Sequence, residues 1–98
     1  EICGPVLVII GYDDVEDAVA IANDTEYGLA GYVSGDDTDA VRSVASRIRA
    51  GQIFINGAAP DPATPFGGYK QSGNGREWSD YAFDDFLEVK SLLGYAAG

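Results

Sequence analysis

The run Pro65-Phe66-Gly67-Gly68-Tyr69-Lys70-Gln71-Ser72-Gly73-Asn74-Gly75-Arg76-Glu77 concentrates the residues that could do chemistry. A carboxylate, two cations, hydroxyls and two aromatic rings stand beside four glycines. Glycine costs backbone entropy on folding and is kept where a positive φ or a close backbone approach demands it. Such density points to a loop shaped round a ligand, a neighbouring backbone or another subunit. The run lies in an irregular stretch, 57–75, that also holds three of the four prolines. Unstructured connections longer than about 12–15 residues are usually functional or disordered, and Phe66 and Tyr69 argue against disorder.

Taken singly, most candidates are weak. Cys3 is a nucleophile on paper, but a working thiolate needs a base, a cation or a helix N-terminus nearby. Ile2, Gly4 and Pro5 supply none of these, so Cys3 reads as packing or lining. Gly73-Asn74-Gly75 follows no strand and precedes no Lys-Ser/Thr pair, so neither phosphate-binding fingerprint is satisfied. Ser72 lacks the flanking glycines of a nucleophile elbow. Tyr69 and Lys70 are adjacent, and their side chains diverge on an extended backbone. Arg76-Glu77 reads either as an interface ion pair or as a polar cluster beside a pocket. Glu1, taken alone, is a surface carboxylate.

The elements that must position this loop alternate. Val6-Leu7-Val8-Ile9-Ile10 is the mark of a strand buried on both faces. Asp13 with Glu16 reads as a capping pair, with Asp14 and Asp17 adding negative charge in the first turn. Val15, Ala18, Val19 and Ala22 make one apolar helix face, with Gly28 as its stop. Leu29 to Ser34 reads as a second strand. A second helix follows Gly35-Asp36-Asp37, burying Val41, Val44, Ala45 and Ile48 and ending at Gly51. Gln52-Ile53-Phe54-Ile55 is a third strand, and Trp78 to Phe83 one or two helical turns. Phe86 to Leu93 alternates as a strand, with Leu87, Val89 and Leu93 on one face and Glu88 and Lys90 on the other. Its charges suit an edge. The expected fold class is α/β, a mainly parallel sheet from β-α-β-α-β plus a C-terminal strand that leaves it.

Composition narrows the function further. With 6 basic and 16 acidic residues the net charge is -10, which argues against nucleic acid and anionic membrane as partners. There is no histidine, which removes histidine-based catalysis and most transition-metal sites within the chain; no metal site is expected. The lone cysteine fits a reducing, cytoplasmic setting. The longest apolar run is far too short to cross a bilayer. A chain of 98 residues starting at Glu1 with no methionine is expected to be a piece of a larger protein.

The whole chain resembles the C-terminal segment of the NAD(P)-dependent aldehyde dehydrogenase superfamily. Glu1-Ile2-Cys3-Gly4-Pro5-Val6-Leu7 is similar to the family's Glu-x-Phe-Gly-Pro motif. Ala22-Asn23-Asp24-Thr25-Glu26-Tyr27-Gly28-Leu29-Ala30, Gly51-Gln52-Ile53-Phe54-Ile55-Asn56, the Pro65–Glu77 run and Phe86-Leu87-Glu88-Val89-Lys90 complete the match. The resemblance implies that Glu1 accepts hydrogen bonds from the ribose hydroxyls of NAD or NADP, as an acceptor-only group can. It implies that Cys3 stands where the family has a Phe against the nicotinamide, and would hold the ring less firmly. Phe66 would line the substrate tunnel, Glu77 would relay protons, and Arg76 and Glu88 would support the subunit interface.

The family's reaction is thiolate attack on an aldehyde, hydride transfer to NAD(P)+ and thioester hydrolysis. Its nucleophile, activating Glu and oxyanion-hole Asn lie upstream of the matching segment, so the chain alone is expected to be inactive. Residues 1–83 are expected to form the C-terminal part of a catalytic domain, with loop 57–77 facing substrate. Residues 84–98 would be an oligomerisation strand and tail that makes a homo-oligomer. The alternatives are a self-associating, non-catalytic interaction module and an acylating or semialdehyde dehydrogenase of the same superfamily.

Overall fold

A computed structural model describes residues 3–94. Helix α1 (Val15–Asn23) begins at Asp14, whose side chain accepts from the Asp17 N–H at 2.8 Å. The Asp17 carboxylate in turn accepts from the Asp13 N–H at 3.1 Å. The cap therefore sits one residue beyond the expected Asp13, and Asp17 rather than Glu16 closes the reciprocal pair. The helix also stops earlier than Gly28, at Asn23. Gly28 belongs instead to β1 (Tyr27–Gly28), which pairs antiparallel with β4 (Tyr69–Lys70).

Strand β2 (Ala30–Val33), helix α2 (Thr38–Arg47) and β3 (Gln52–Ile55) form a βαβ unit, with β2 and β3 parallel and Ala30 opposite Gln52. Parallel neighbours require a crossover connection, and α2 supplies it. Its Asp37 cap accepts from the Asp39 and Ala40 N–H groups at 3.0 and 3.1 Å. A 3-10 turn, Asp80–Phe83, follows the glycine loop. The expected single sheet is thus resolved into two pairs, one parallel and one antiparallel. β1 went unread because two residues carry no periodicity.

Residues 6–10, expected as a buried strand, make no ladder hydrogen bonds, and their side chains are 61–86% exposed. Residues 86–93 likewise form no strand, and Val89 is 99% exposed. A strand needs a neighbour to satisfy its backbone and bury its side chains, and among the described residues neither segment has one. Residues 95–98 of the expected tail lie outside the described residues.

The buried apolar side chains are small and few: Val19, Val41, Ala45 and Ala50, at the meeting of α1, α2 and the turn into β3. The accessible surface is 8184 Å², against about 5,400 Å² for a folded monomer of this mass. The radius of gyration is 18.5 Å, against about 13 Å for a compact chain of similar length. Much apolar surface is therefore open. No helix among the described residues is long and apolar enough to cross a membrane.

Candidate functional site

The glycine loop is fastened to the rest of the chain at three points, one on the turn into β3 and two on the segment that runs from the end of α1 to β1. At the first, Gly51 lies against the Gly67 backbone so closely that a Cβ on Gly51 would overlap the Gly67 carbonyl. Only glycine permits that approach. At the second, the Gly28 N–H donates to Ser72 Oγ at 2.9 Å and the Gln71 N–H donates to the Glu26 carbonyl at 3.0 Å. At the third, Lys70 Nζ donates to the Asn23 and Thr25 carbonyls at 2.9 and 3.0 Å. A cation there meets the negative pole of the α1 dipole. The Asn23 side chain is a separate latch between α1 and the end of α2: its Nδ2 donates to the Arg47 carbonyl at 2.9 Å and its Oδ1 accepts from the Arg49 N–H at 2.7 Å.

Within the loop, Phe66 and Glu77 face each other as an antiparallel bridge. Each N–H donates to the other's carbonyl, at 2.7 and 2.6 Å. The Phe66 ring meets the Trp78 indole with centroids 5.0 Å apart and planes tilted by 35°. Arg76 closes the loop from inside. Its Nη1 donates to the Gly68 carbonyl at 3.1 Å and the Gly75 carbonyl at 2.6 Å, and its guanidinium lies 5.6 Å from the Tyr69 ring centroid. Arg49 sits 6.0 Å from the same ring, giving Tyr69 a second cation–π contact. The Arg76 N–H donates to Asp85 Oδ2 at 3.1 Å.

The result is a hollow of about 280 Å³ whose wall includes Phe66, Gly67, Arg76, Glu77, Asp85 and Phe86. It offers two aromatic rings, Phe66 and Phe86, and two carboxylates in one concavity. An apolar body with a polar head would fit such a wall, and a carboxylate there can accept or hold a proton.

Phe66, Arg76 and Glu77 are thus brought together. Arg76 and Glu77 form no side-chain ion pair among the described residues; Arg76 Nη1 donates to loop carbonyls instead. Cys3 is an exposed free thiol on the irregular segment before residue 6. Glu88 is exposed beyond the 3-10 turn. Glu1 lies outside the described residues. Sequence reasoning missed Asp85, Trp78 and Asn23. An acidic pair at 84–85 and a lone Trp give no spacing signal; their roles come from the turn that folds them back.

The strongest charge coupling stands away from the hollow. Arg47 grips Glu16 with two hydrogen bonds, Nη1 to Oε1 at 2.8 Å and Nη2 to Oε2. The hydrogen bond, then the attraction of the guanidinium, holds the Glu16 carboxyl below its ordinary range, and the same hydrogen bond raises Arg47.

Comparison with known proteins places this geometry. The model of the aldehyde dehydrogenase family matches residues 1–92. A Staphylococcus saprophyticus protein assigned as an aldehyde dehydrogenase is 59% identical over 95 residues, covering 97% of this chain and 20% of that protein. Aldehyde dehydrogenase C of Pseudomonas syringae, solved as a cysteine-to-alanine variant with NAD+ and octanal, superposes with a TM-score of 0.91 at 55% identity. That match covers 97% of this chain and 20% of the other. An aldehyde dehydrogenase of Mycobacterium tuberculosis solved with NAD+ superposes at 0.85 with 47% identity, over 96% of this chain and 20% of that one. The chain spans about a fifth of the length of the relatives it matches.

Proposed function

This chain belongs to the aldehyde dehydrogenase family, and from that premise we propose that it forms one wall of the aldehyde site in an NAD(P)-dependent oxidoreductase. The parent enzyme would oxidise aldehydes to carboxylic acids through a cysteine thioester, with the reactive thiolate supplied by residues outside this chain. The observation that carries the reading is the Phe66–Glu77 bridge, which sets an aromatic wall and a carboxylate on one hollow. Residues 1–83 would complete the catalytic domain, with loop 57–77 toward substrate. Residues 84–98 would pair with a second subunit, and the open apolar side chains at 86, 87, 89, 92 and 93 are the surface such pairing needs. The bare segment 6–10 would then join the mainly parallel sheet of the catalytic domain.

In this reading Phe66 holds the apolar part of the aldehyde and keeps water from it. Glu77 accepts and returns a proton when water attacks the thioester. Arg76 keeps the loop closed and, with Glu88, supports the subunit contact. The nucleotide, when bound, supplies the hydride acceptor. Among the residues available to it, Glu1 fits ribose hydroxyls by its acceptor-only chemistry, and Cys3 would be a smaller contact to the nicotinamide than a Phe.

Two substitutions in the full-length enzyme test this. Phe66→Ala is expected to raise the aldehyde KM about tenfold or more, the scale of one lost aromatic wall. Glu77→Gln is expected to lower kcat about 10²-fold, the scale of a general base, with little change in KM. Wild-type constants in both would overturn the reading. The isolated 98-residue chain is expected to yield no NADH from an aldehyde above the buffer rate.

A further inference from the structure

Trp78 and Ser79 are consecutive non-glycine residues at positive φ, 63° and 51°. A bulky side chain in that region is a genuine outlier. Ser79, at φ 51 and ψ −171, lies close to backbone space that is essentially glycine's own. Such strain persists only where the surroundings over-determine it, and here they do. On one side Glu77 is bound to Phe66 by two backbone hydrogen bonds. On the other, the Ser79 N–H donates to the Pro62 carbonyl at 3.2 Å. Residues 77–79 are therefore splinted along 62–66, and the reversed turn lays the indole against the Phe66 ring.

Trp78 does not line the hollow, whereas Phe66 does. The Trp78 ring therefore reaches that wall through the Phe66 ring. Phe66 is half-buried, and an aromatic side chain that is not fully enclosed has several χ1 wells to visit. A second ring at 5.0 Å removes most of that freedom and holds one face toward the cavity. We propose that Trp78, held by the strained Trp78–Ser79 turn, is a positioning residue that fixes the Phe66 ring and so sets how tightly the site grips the apolar chain of an aldehyde. The inference rests on the reading of Phe66 as a substrate wall.

The experiment uses the full-length enzyme with octanal and propanal as substrates. Trp78→Ala is expected to raise the octanal KM roughly two- to tenfold, the affinity equivalent of one aromatic pair. It should leave kcat within about twofold, and the propanal KM should move less, because a short chain makes less use of the wall. Trp78→Phe is expected to restore the octanal KM, which a purely structural loss of stability would not produce. The double variant Phe66→Ala/Trp78→Ala should be no worse than Phe66→Ala alone, because the second residue acts through the first. If Trp78→Ala is insoluble, Trp78→Leu keeps part of the apolar volume and removes the ring contact, and is read in the same way. An unchanged octanal KM in the Trp78 variants, with a raised one in Phe66→Ala, overturns this inference and leaves the aldehyde site standing. Additive KM effects in the double variant overturn it as well. An unchanged KM in Phe66→Ala overturns the site itself.

Discussion

The βαβ unit and the glycine loop are held together by different forces. In the unit, Val41, Ala45 and Ala50 are buried with Val19 of α1, and β2 and β3 share a four-residue parallel ladder. The loop buries none of its large side chains. It is shaped by a two-bond bridge, by the inward guanidinium of Arg76, by Asp85 and by the cation of Lys70. Apolar burial tolerates repacking, whereas polar closure depends on individual partners. A site wall built in the second way can change its contour without disturbing the first.

The seam between the two regions should give the largest effect. Gly51→Ala places a Cβ on the Gly67 carbonyl, and overpacking of this kind costs about 1–3 kcal/mol. The urea midpoint of the full-length enzyme should fall and the aldehyde KM should rise together. A change in neither would mean that the loop and the unit are not in firm contact.

Asn23→Ala should separate them. It removes the bonds to Arg47 and Arg49 and leaves a part-buried carbonyl and an exposed N–H without their protein partner, at about 1 kcal/mol. Stability should fall with the aldehyde KM unchanged, because the latch lies in the helical layer. A shifted KM without lost stability would show the latch to belong to the loop.

Asp85→Ala is the converse. It frees the Arg76 N–H from its acceptor, and one net hydrogen bond of about 1 kcal/mol corresponds to roughly a fivefold change. The effect is expected in the aldehyde KM, with the unfolding midpoint nearly unmoved. An unmoved KM would show that the loop keeps its shape without Asp85.

The smallest effect belongs to Glu16 and Arg47. The folded-state value of Glu16 lies below its ordinary range, so its stabilising contribution is full above about pH 4.3 and is lost as pH falls through the lowered value. The stability gap between wild type and Glu16→Gln should therefore close on acidification. It should also shrink in about 1 M salt, since both groups are at the surface. A gap that stays constant with pH would contradict the pairing.

How far these features could be read from residues follows the same division. Both helices were legible, because Val15, Ala18, Val19 and Ala22, and again Val41, Val44, Ala45 and Ile48, repeat at helical spacing. Their ends were less so. Asp13 and Asp14 are equal cap candidates on paper, and backbone geometry decides for Asp14. β3 was legible as a short apolar run closed by Asn56-Gly57. Strand pairing for residues 6–10 and 86–93 was not, since apolar alternation marks a surface that wants covering without naming what covers it. At the site, Phe66, Arg76 and Glu77 stood out by type and density. Asp85 and Trp78 did not, because only the positive-φ turn at 78–79 returns them to the loop.

The central claim is that the segment around Phe66 touches the aldehyde. Photolabelling the full-length enzyme with an aliphatic aldehyde carrying a diazirine at its far end, followed by peptide mass spectrometry, tests it directly. Label is expected on the peptide spanning residues 50–70, suppressed by excess octanal. Strong octanal-suppressible labelling elsewhere, with none on that peptide, would contradict it.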